Sequence, residues 1–332
     1  MTDTNASHSS GDASIFICPL CQSPLTITDK TWQCDGSHVA NNPKQTQHSF
    51  DVARQGYVNL LPVQQKKSKA PGDSEASIAA RQRFLHAGHY QPLQQLLCQT
   101  LSQLSQIGEK AADETEKSSI STEQPAKYWA DIGSGEGYYT LEMAEQMRIE
   151  GLIAIDISKP AVVTLAKMAK AQHQLWYQPH LSNEHQPTII YPLVASAVNL
   201  PLANQSLDGI SSIFSPILPE IFADKLKDKG WLIIAKPDSG HLQSMREALF
   251  DNVREHDSDK FLTKLEPYFE LQATHYIEQS LSLNSESLAD LLTMTPYSYR
   301  AKPAKREALL ASAKQDAFVT EAKFVLYVLQ KR

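Results

Sequence analysis

Residues 128–140 read YWADIGSGEGYYT, and the fold turns on them. A short apolar run ends at Gly133, Gly135 and Gly137, and the helix-like "YYTLEMAEQM" follows. Glycine lets a chain turn sharply and lets a ligand lie against bare backbone. The start of the next helix adds free N–H groups and the favourable end of a dipole. The spacing G-x-G-x-G is neither the dinucleotide fingerprint nor a phosphate loop with its lysine. One acid, Asp131, precedes the turn, and another, Asp156, stands 19 residues beyond Gly137. Asp156 closes a second apolar run, "GLIAID", where a carboxylate can accept hydrogen bonds from two ribose hydroxyls.

Working outward, strand and helix patterns alternate. "KPAVVTLAKMAKA" is a helix, and "IIYPLVASA", "SLDGISSIF" and "GWLIIAKP" are strands. "FELQATHYIEQS" and "KFVLYVLQ" flank the helix-like "SESLADLLTM". Interleaved strands and helices predict an α/β fold with a mainly parallel sheet covered on both faces. This domain spans 128–332, with a polar insertion expected at 172–187. Before it, 63–104 reads as a basic, Pro-Gly-broken loop followed by two helices, and 105–127 as a polar linker. Residues 1–14, rich in Ser, Thr, Asn and Asp, read as a disordered tail.

Residues 15–62 carry Cys18, Cys21 and Cys34, three of the chain's four cysteines. Two thiolates in C-x2-C form a knuckle able to share one tetrahedral metal, and Cys34 is a third ligand. The fourth is His38 or His48. A mixed thiolate–imidazole set suits zinc, and four protein ligands leave no open position, so one structural ion is expected. This pattern is not a disulfide framework, and it fits a reducing cytoplasm. No secretory signal opens the chain, and no apolar run reaches the roughly 20 residues of a membrane helix. The net charge of −6 over 332 residues argues against indiscriminate coating of nucleic acid. Residues 44–83 nevertheless hold seven cations against three acids. Among these, Lys66, Lys67, Lys69, Arg81 and Arg83 are the expected RNA-binding residues.

The strand–turn–helix–strand–acid series resembles the class I S-adenosylmethionine-dependent methyltransferases. The resemblance implies a Rossmann-like fold with a seven-stranded sheet. It implies cofactor contacts from Asp131, Gly133, Gly135, Gly137, Tyr138 and Asp156, with Ser196 and Ala197 at the adenine edge. A longer series is similar to the RlmA-type methyltransferases that modify guanine N1 of 23S ribosomal RNA: "CPLC", "HSFDVARQGYVNLLP", "KKSKAPGDS", "RQRFLHAGHYQPL", "DIGSGEGYYT", "LPLANQSLDGI", "GWLIIAKPDSGHL" and "LLTMTPYSYRA". It implies S-adenosylmethionine and zinc as cofactors, and a hairpin or loop guanine as acceptor. A homodimer is left open. The "HSFD" match favours His48 as the zinc ligand, with His38 as the alternative.

Guanine N1 must lose a proton, so a base or a suitable hydrogen-bond setting is expected. Asp73, His89, Asp238 and His241 are the candidates, although Asp73 can instead cap a helix and His89 can simply pack. Phe214 and Pro216 occupy the substrate-facing place after the fourth strand. Tyr57 and Phe84 could stack bases, with a core position the plainer reading. Two other functions fit parts of the chain: a binding module with an inactive methyltransferase fold, and a small-molecule methyltransferase.

Overall fold

The cysteine-rich segment is too short to bury a core of its own, and it solves this by leaning on the rest of the chain. In the computed structural model, the described residues are 14–37, 46–66, 68–115, 128–147, 149–176, 188–252 and 261–332. Strands β1 (Leu25–Ile27), β2 (Thr31–Cys34) and β3 (Ser49–Asp51) form a small antiparallel sheet. Phe16 and Trp32 are buried beneath it, with ring centroids 4.6 Å apart. Both rings reach Tyr191 of the main domain, at 5.1 and 6.3 Å. Such aromatic contacts add about 0.5–1.5 kcal/mol each beyond simple area burial.

The next strand, β4 (Val58–Asn59), does not belong to the small sheet. It is followed by α1 (Glu75–His86) and α2 (Gln91–Thr115). The polar segment from 105 onward, read as linker, therefore begins as helix, while 116–127 lies outside the described residues. Ser74 caps α1 by accepting a hydrogen bond from Ser77 N, so Asp73 is spared that task.

Alternation then proceeds through β5 (Tyr128–Ile132), α3 (Tyr138–Gln146), β6 (Gly151–Asp156), α4 (Lys159–Trp176), β7 (Ile189–Val194), β8 (Leu207–Ile213), α5 (Pro219–Lys225) and β9 (Leu226–Pro237). Helix α4 outruns its expected end, and 177–187 lies outside the described residues. The remainder is α6 (Gln243–Leu249), α7 (Leu262–Leu265), β10 (Phe269–Leu283), α8 (Ser285–Met294), α9 (Tyr297–Arg300), α10 (Pro303–Ser312) and β11 (Phe318–Lys331).

The sheet order is β10-β11-β9-β8-β5-β6-β7-β4. Strands β9 through β4 are parallel, and β10 and β11 close one edge antiparallel. The expected seven strands are present, and an eighth is added to them. The eighth, β4, pairs parallel with β7 at Val58–Leu193 and Asn59–Val194, and Leu60 N donates to Val194 O at 2.9 Å. β5 and β6 are buried on both faces, which is why their sequences are nearly unbroken apolar runs. The order of strands reverses between β5 and β8, and the crevice outside their carboxyl ends is where such sheets bind ligands.

Candidate functional site: a glycine-lined crevice and a metal ribbon

The turn after β5 folds back over β6. Gly133 N and Ser134 N both donate to Ile155 O, at 2.7 and 3.1 Å. A methyl group on Gly133 would lie 2.4 Å from Ser215 Cβ, so only glycine fits where the turns after β5 and β8 cross. Gly135, at φ +58°, differs: a Cβ there would meet nothing nearer than Arg81 Nη1 at 3.5 Å. It faces the crevice.

Asp156 closes the opposite side. Its Oδ2 accepts from Gly135 N at 3.0 Å and its Oδ1 from Ser158 N at 2.7 Å. Each carboxylate oxygen retains a second acceptor position, which matches the two hydroxyls of a ribose. Burial raises its pKa above the usual carboxylate value. Ser196 and Ala197 follow β7 in a tight turn closed by Asn199 N donating to Ser196 O at 3.0 Å. Ala195 N donates to Asp156 O at 3.1 Å, so this turn borders the same crevice.

Asp131 is placed otherwise than as a direct cofactor contact. It is 2% exposed, and its oxygens are engaged by Thr140 Oγ1 at 2.6 Å and Ser211 Oγ at 2.8 Å. It braces β5 against α3 and β8. Burial pushes it up to about 6 although both hydroxyls pull the other way. Tyr138 packs between His86 and Tyr139, at 5.8 and 5.0 Å between ring centroids, as part of the aromatic core.

Two crevice residues escaped the sequence reading. Glu136, inside the glycine turn, is 2% exposed. Arg81 reaches it from α1, with Nη1 3.9 Å from Glu136 Oε2 and Nη2 2.6 Å from Asp73 Oδ2. Expected on an RNA-facing surface, Arg81 instead turns inward. The signal was present: Ile78, Arg81 and Leu85 share one helical face, and both apolar neighbours are buried. Burial pushes Glu136 up to about 7, with Arg81 opposing. A carboxyl raised from its ordinary 4.5 stabilises the fold below that pH and loses this stabilisation as pH rises through about 7. The ligand-free Glu136→Gln protein is therefore expected to melt a few degrees above the parent at pH 8.5 and level with it at pH 4.5. Thermal scans at the two pH values check this.

The four proton-acceptor candidates are dispersed. Asp73 is paired with Arg81, and its backbone O accepts from Ser158 Oγ at 2.8 Å. His89 lies 4.4 Å from the Phe84 ring, and burial lowers its pKa. His241 is buried with Nδ1 2.8 Å from Lys323 O, and Asp238 N donates to Lys323 O at 3.0 Å, so both bind the edge of β11. Phe214 stands at the mouth after β8, 43% exposed, 5.4 Å from Phe324 and 6.3 Å from Tyr139. It offers a flat apolar face to a planar base.

In the small sheet, Cys18, Cys21, Cys34 and His48 converge, their ligand atoms all within 4.8 Å of one another. Cys21 and Cys34 sulfurs are 3.5 Å apart, and His48 Nδ1 lies 3.6 and 3.4 Å from Cys18 and Cys34. Metal–sulfur bonds of about 2.3 Å in a tetrahedron give edges of about 3.8 Å, so the cluster has the right size for zinc. Burial pushes the Cys18 thiol up to about 12, and a thiol so placed ionises when a cation coordinates it. His38 lies outside the described residues.

Residues 16–69 match the family model described as "RlmA, N-terminal", a zinc ribbon. The match covers the ribbon and the start of the loop that follows it. The chain is 29% identical over 293 residues to the 23S rRNA (guanine(748)-N(1))-methyltransferase of Streptomyces fradiae, covering 86% of each chain. A relative from Micromonospora griseorubida, carrying a 23S rRNA guanine-N1 activity in its name, is 28% identical over 92% of this chain and 94% of its own. Among solved structures, the YcgJ protein of Bacillus subtilis superposes with a TM-score of 0.42 at 14% identity, over 63% of this chain and 93% of its own.

Around the RlmA ribbon, Lys66 and Lys69 are exposed, and Lys67 lies outside the described residues. Arg83 is engaged by both oxygens of Asp290, at 3.0 and 2.5 Å. Tyr57 and Phe84 are buried in the core. Arg54, one of the seven cations of residues 44–83, joins others in a cleft between ribbon and α4. Lys30 and Arg54 come from the ribbon side and Lys170 from α4, over a floor that includes Ala166 and Pro192. Lys167 stands beside Arg54 and Lys170.

Proposed function

We infer that this chain transfers the methyl group of S-adenosylmethionine to N1 of a guanine in 23S ribosomal RNA. The observation that carries the reading is the union, in one molecule, of the RlmA zinc ribbon with a crevice whose glycine turn and Asp156 suit an adenosine-bearing cofactor. Ser134 Oγ in that turn is buried without a hydrogen-bond partner among the described residues, as is Tyr139 Oη on the following helix. Orphaned polar atoms of this kind mark places that a ligand satisfies.

The cofactor, when bound, supplies an electrophilic methyl on sulfonium. The bond from N1 to carbon forms as the carbon–sulfur bond breaks, and the N1 proton leaves the base. Such a displacement needs near-collinear alignment, and holding that alignment supplies much of the rate. Asp156 would fix the ribose, the glycine turn would fix the chain toward sulfur, and Phe214 would present a flat wall to the guanine. An acceptor buried in a duplex cannot reach this crevice, so the target base must leave its stack. A hairpin or loop guanine meets that requirement at least cost, and such a substrate places the protein in the cytoplasm. The work divides along the chain: ribbon (15–62) and basic loop (63–74) for RNA, the domain from 128 for chemistry. Mass-spectrometric mapping of methylated guanines in 23S rRNA, with and without this gene, tests the reading. Unchanged modification maps would sink it.

The ribbon–α4 cleft supports a long RNA contact. Replacing Arg54, Lys167 and Lys170 together with glutamine is expected to weaken rRNA binding about tenfold near 0.1 M salt. It should also flatten the slope of log K against log salt by about 2, since each phosphate contact contributes roughly 0.7–0.9. Filter binding across a salt series reads both quantities.

A further inference from the structure

On that reading of the crevice, we propose that Arg81 is a cofactor-binding residue, holding the α-carboxylate of the methyl donor. The donor carries several cationic or neutral groups and a single anionic one, the carboxylate of its amino-acid end. A buried anion needs a cation with unspent hydrogen-bonding capacity. Arg81 is the cation that the structure brings to the glycine turn.

Its two terminal nitrogens are unequally occupied. Nη2 is committed to Asp73 Oδ2 at 2.6 Å and to Met294 O at 3.5 Å. Among the described residues Nη1 meets only Glu136 Oε2 at 3.9 Å, beyond hydrogen-bond reach, and it is the group 3.5 Å from the place where a Gly135 Cβ would stand. Gly135 N in turn donates to Asp156. A ligand whose ribose is gripped by Asp156 therefore crosses bare backbone at Gly135 and arrives under the free edge of Arg81.

The surroundings complete the pocket. Tyr139 lies within electrostatic range of both Arg81 and Glu136, and its hydroxyl, like that of Ser134, lacks a partner among the described residues. Those hydroxyls can donate to the carboxylate beside Arg81. Glu136, buried in the glycine turn, is suited to the α-ammonium. Asp73 holds Nη2 and leaves Nη1 toward Gly135.

Calorimetry on the full chain with two ligands isolates this role. S-adenosylhomocysteine has the amino-acid end, and 5′-methylthioadenosine lacks it while keeping the adenosine. Arg81→Gln is expected to weaken S-adenosylhomocysteine about 30- to 100-fold and to leave 5′-methylthioadenosine within about threefold. Arg81→Lys should fall between, since it keeps the charge and loses the fork. The ratio of the two affinities is insensitive to the fraction of protein folded. Equal losses for both ligands, or none for either, would overturn the assignment. Should Arg81→Gln fail to fold, an unchanged ratio in Arg81→Lys would overturn it as well. A parent protein that binds neither ligand would overturn the methyltransferase reading itself, a separate outcome.

Discussion

Asp156→Ala is expected to reduce affinity for S-adenosylhomocysteine at least 100-fold and to abolish methyl transfer to 23S rRNA. Two losses combine. The ribose hydroxyls lose a charged acceptor, and hydrogen bonds to charged groups contribute about 1.5–3 kcal/mol each. The turn also loses its brace, because Gly135 N and Ser158 N both end on this carboxylate. A loss near 3 kcal/mol already corresponds to roughly 100-fold in affinity. The two contributions separate experimentally. Asp156→Asn keeps an acceptor and the side-chain shape, so it should retain part of the affinity while the alanine variant does not. Calorimetry with both proteins, beside their thermal melts, gives the comparison. Binding by the alanine variant within threefold of the parent would remove Asp156 from the cofactor site.

Loss of the metal has an effect as large, in a different place. Structural zinc contributes on the order of 10 kcal/mol to small metal-built domains. In Cys34→Ser the tetrahedron loses a corner, and the sulfur that accepts from His48 N at 3.2 Å is lost with it. Metal analysis should find about one zinc per chain in the parent and about a tenth of that in the variant. Affinity for rRNA should fall about 30-fold or more. S-adenosylhomocysteine affinity should stay within about threefold, because the crevice is built from the ends of β5, β6 and β7 and from α1, none of which carries a metal ligand. A variant that keeps full zinc would refute the cluster as the metal centre. One that keeps zinc-free but normal rRNA affinity would refute the ribbon as an RNA-binding part.

The framework was open to reading because its signals are local. The runs at 128–132 and 151–156 are apolar because both faces of a central parallel strand are covered, and Gly133 between strand and helix is demanded by the crossing at Ser215. The cysteine knuckle is legible for the same reason: Cys18 and Cys21 sit three positions apart in one turn. The extra strand at Val58–Asn59 was not legible. Two residues carry no periodicity, and their pairing with β7 bridges more than a hundred positions of chain.

Residue type and spacing by themselves determined the α/β class, the glycine turn with its distant acid, and the cluster of thiols awaiting a fourth ligand. Tertiary structure decided the roles of the charged side chains. It drew Arg81 inward between Asp73 and Glu136, set Asp131 to bracing the core, and sent His241 and Asp238 to the edge of β11. The physical reason is range. Periodicity and turn chemistry act between neighbours in sequence, whereas the fate of a charge depends on which distant groups share its low-dielectric surroundings. Those groups, here at 73, 81, 136 and 156, meet only once the sheet has formed.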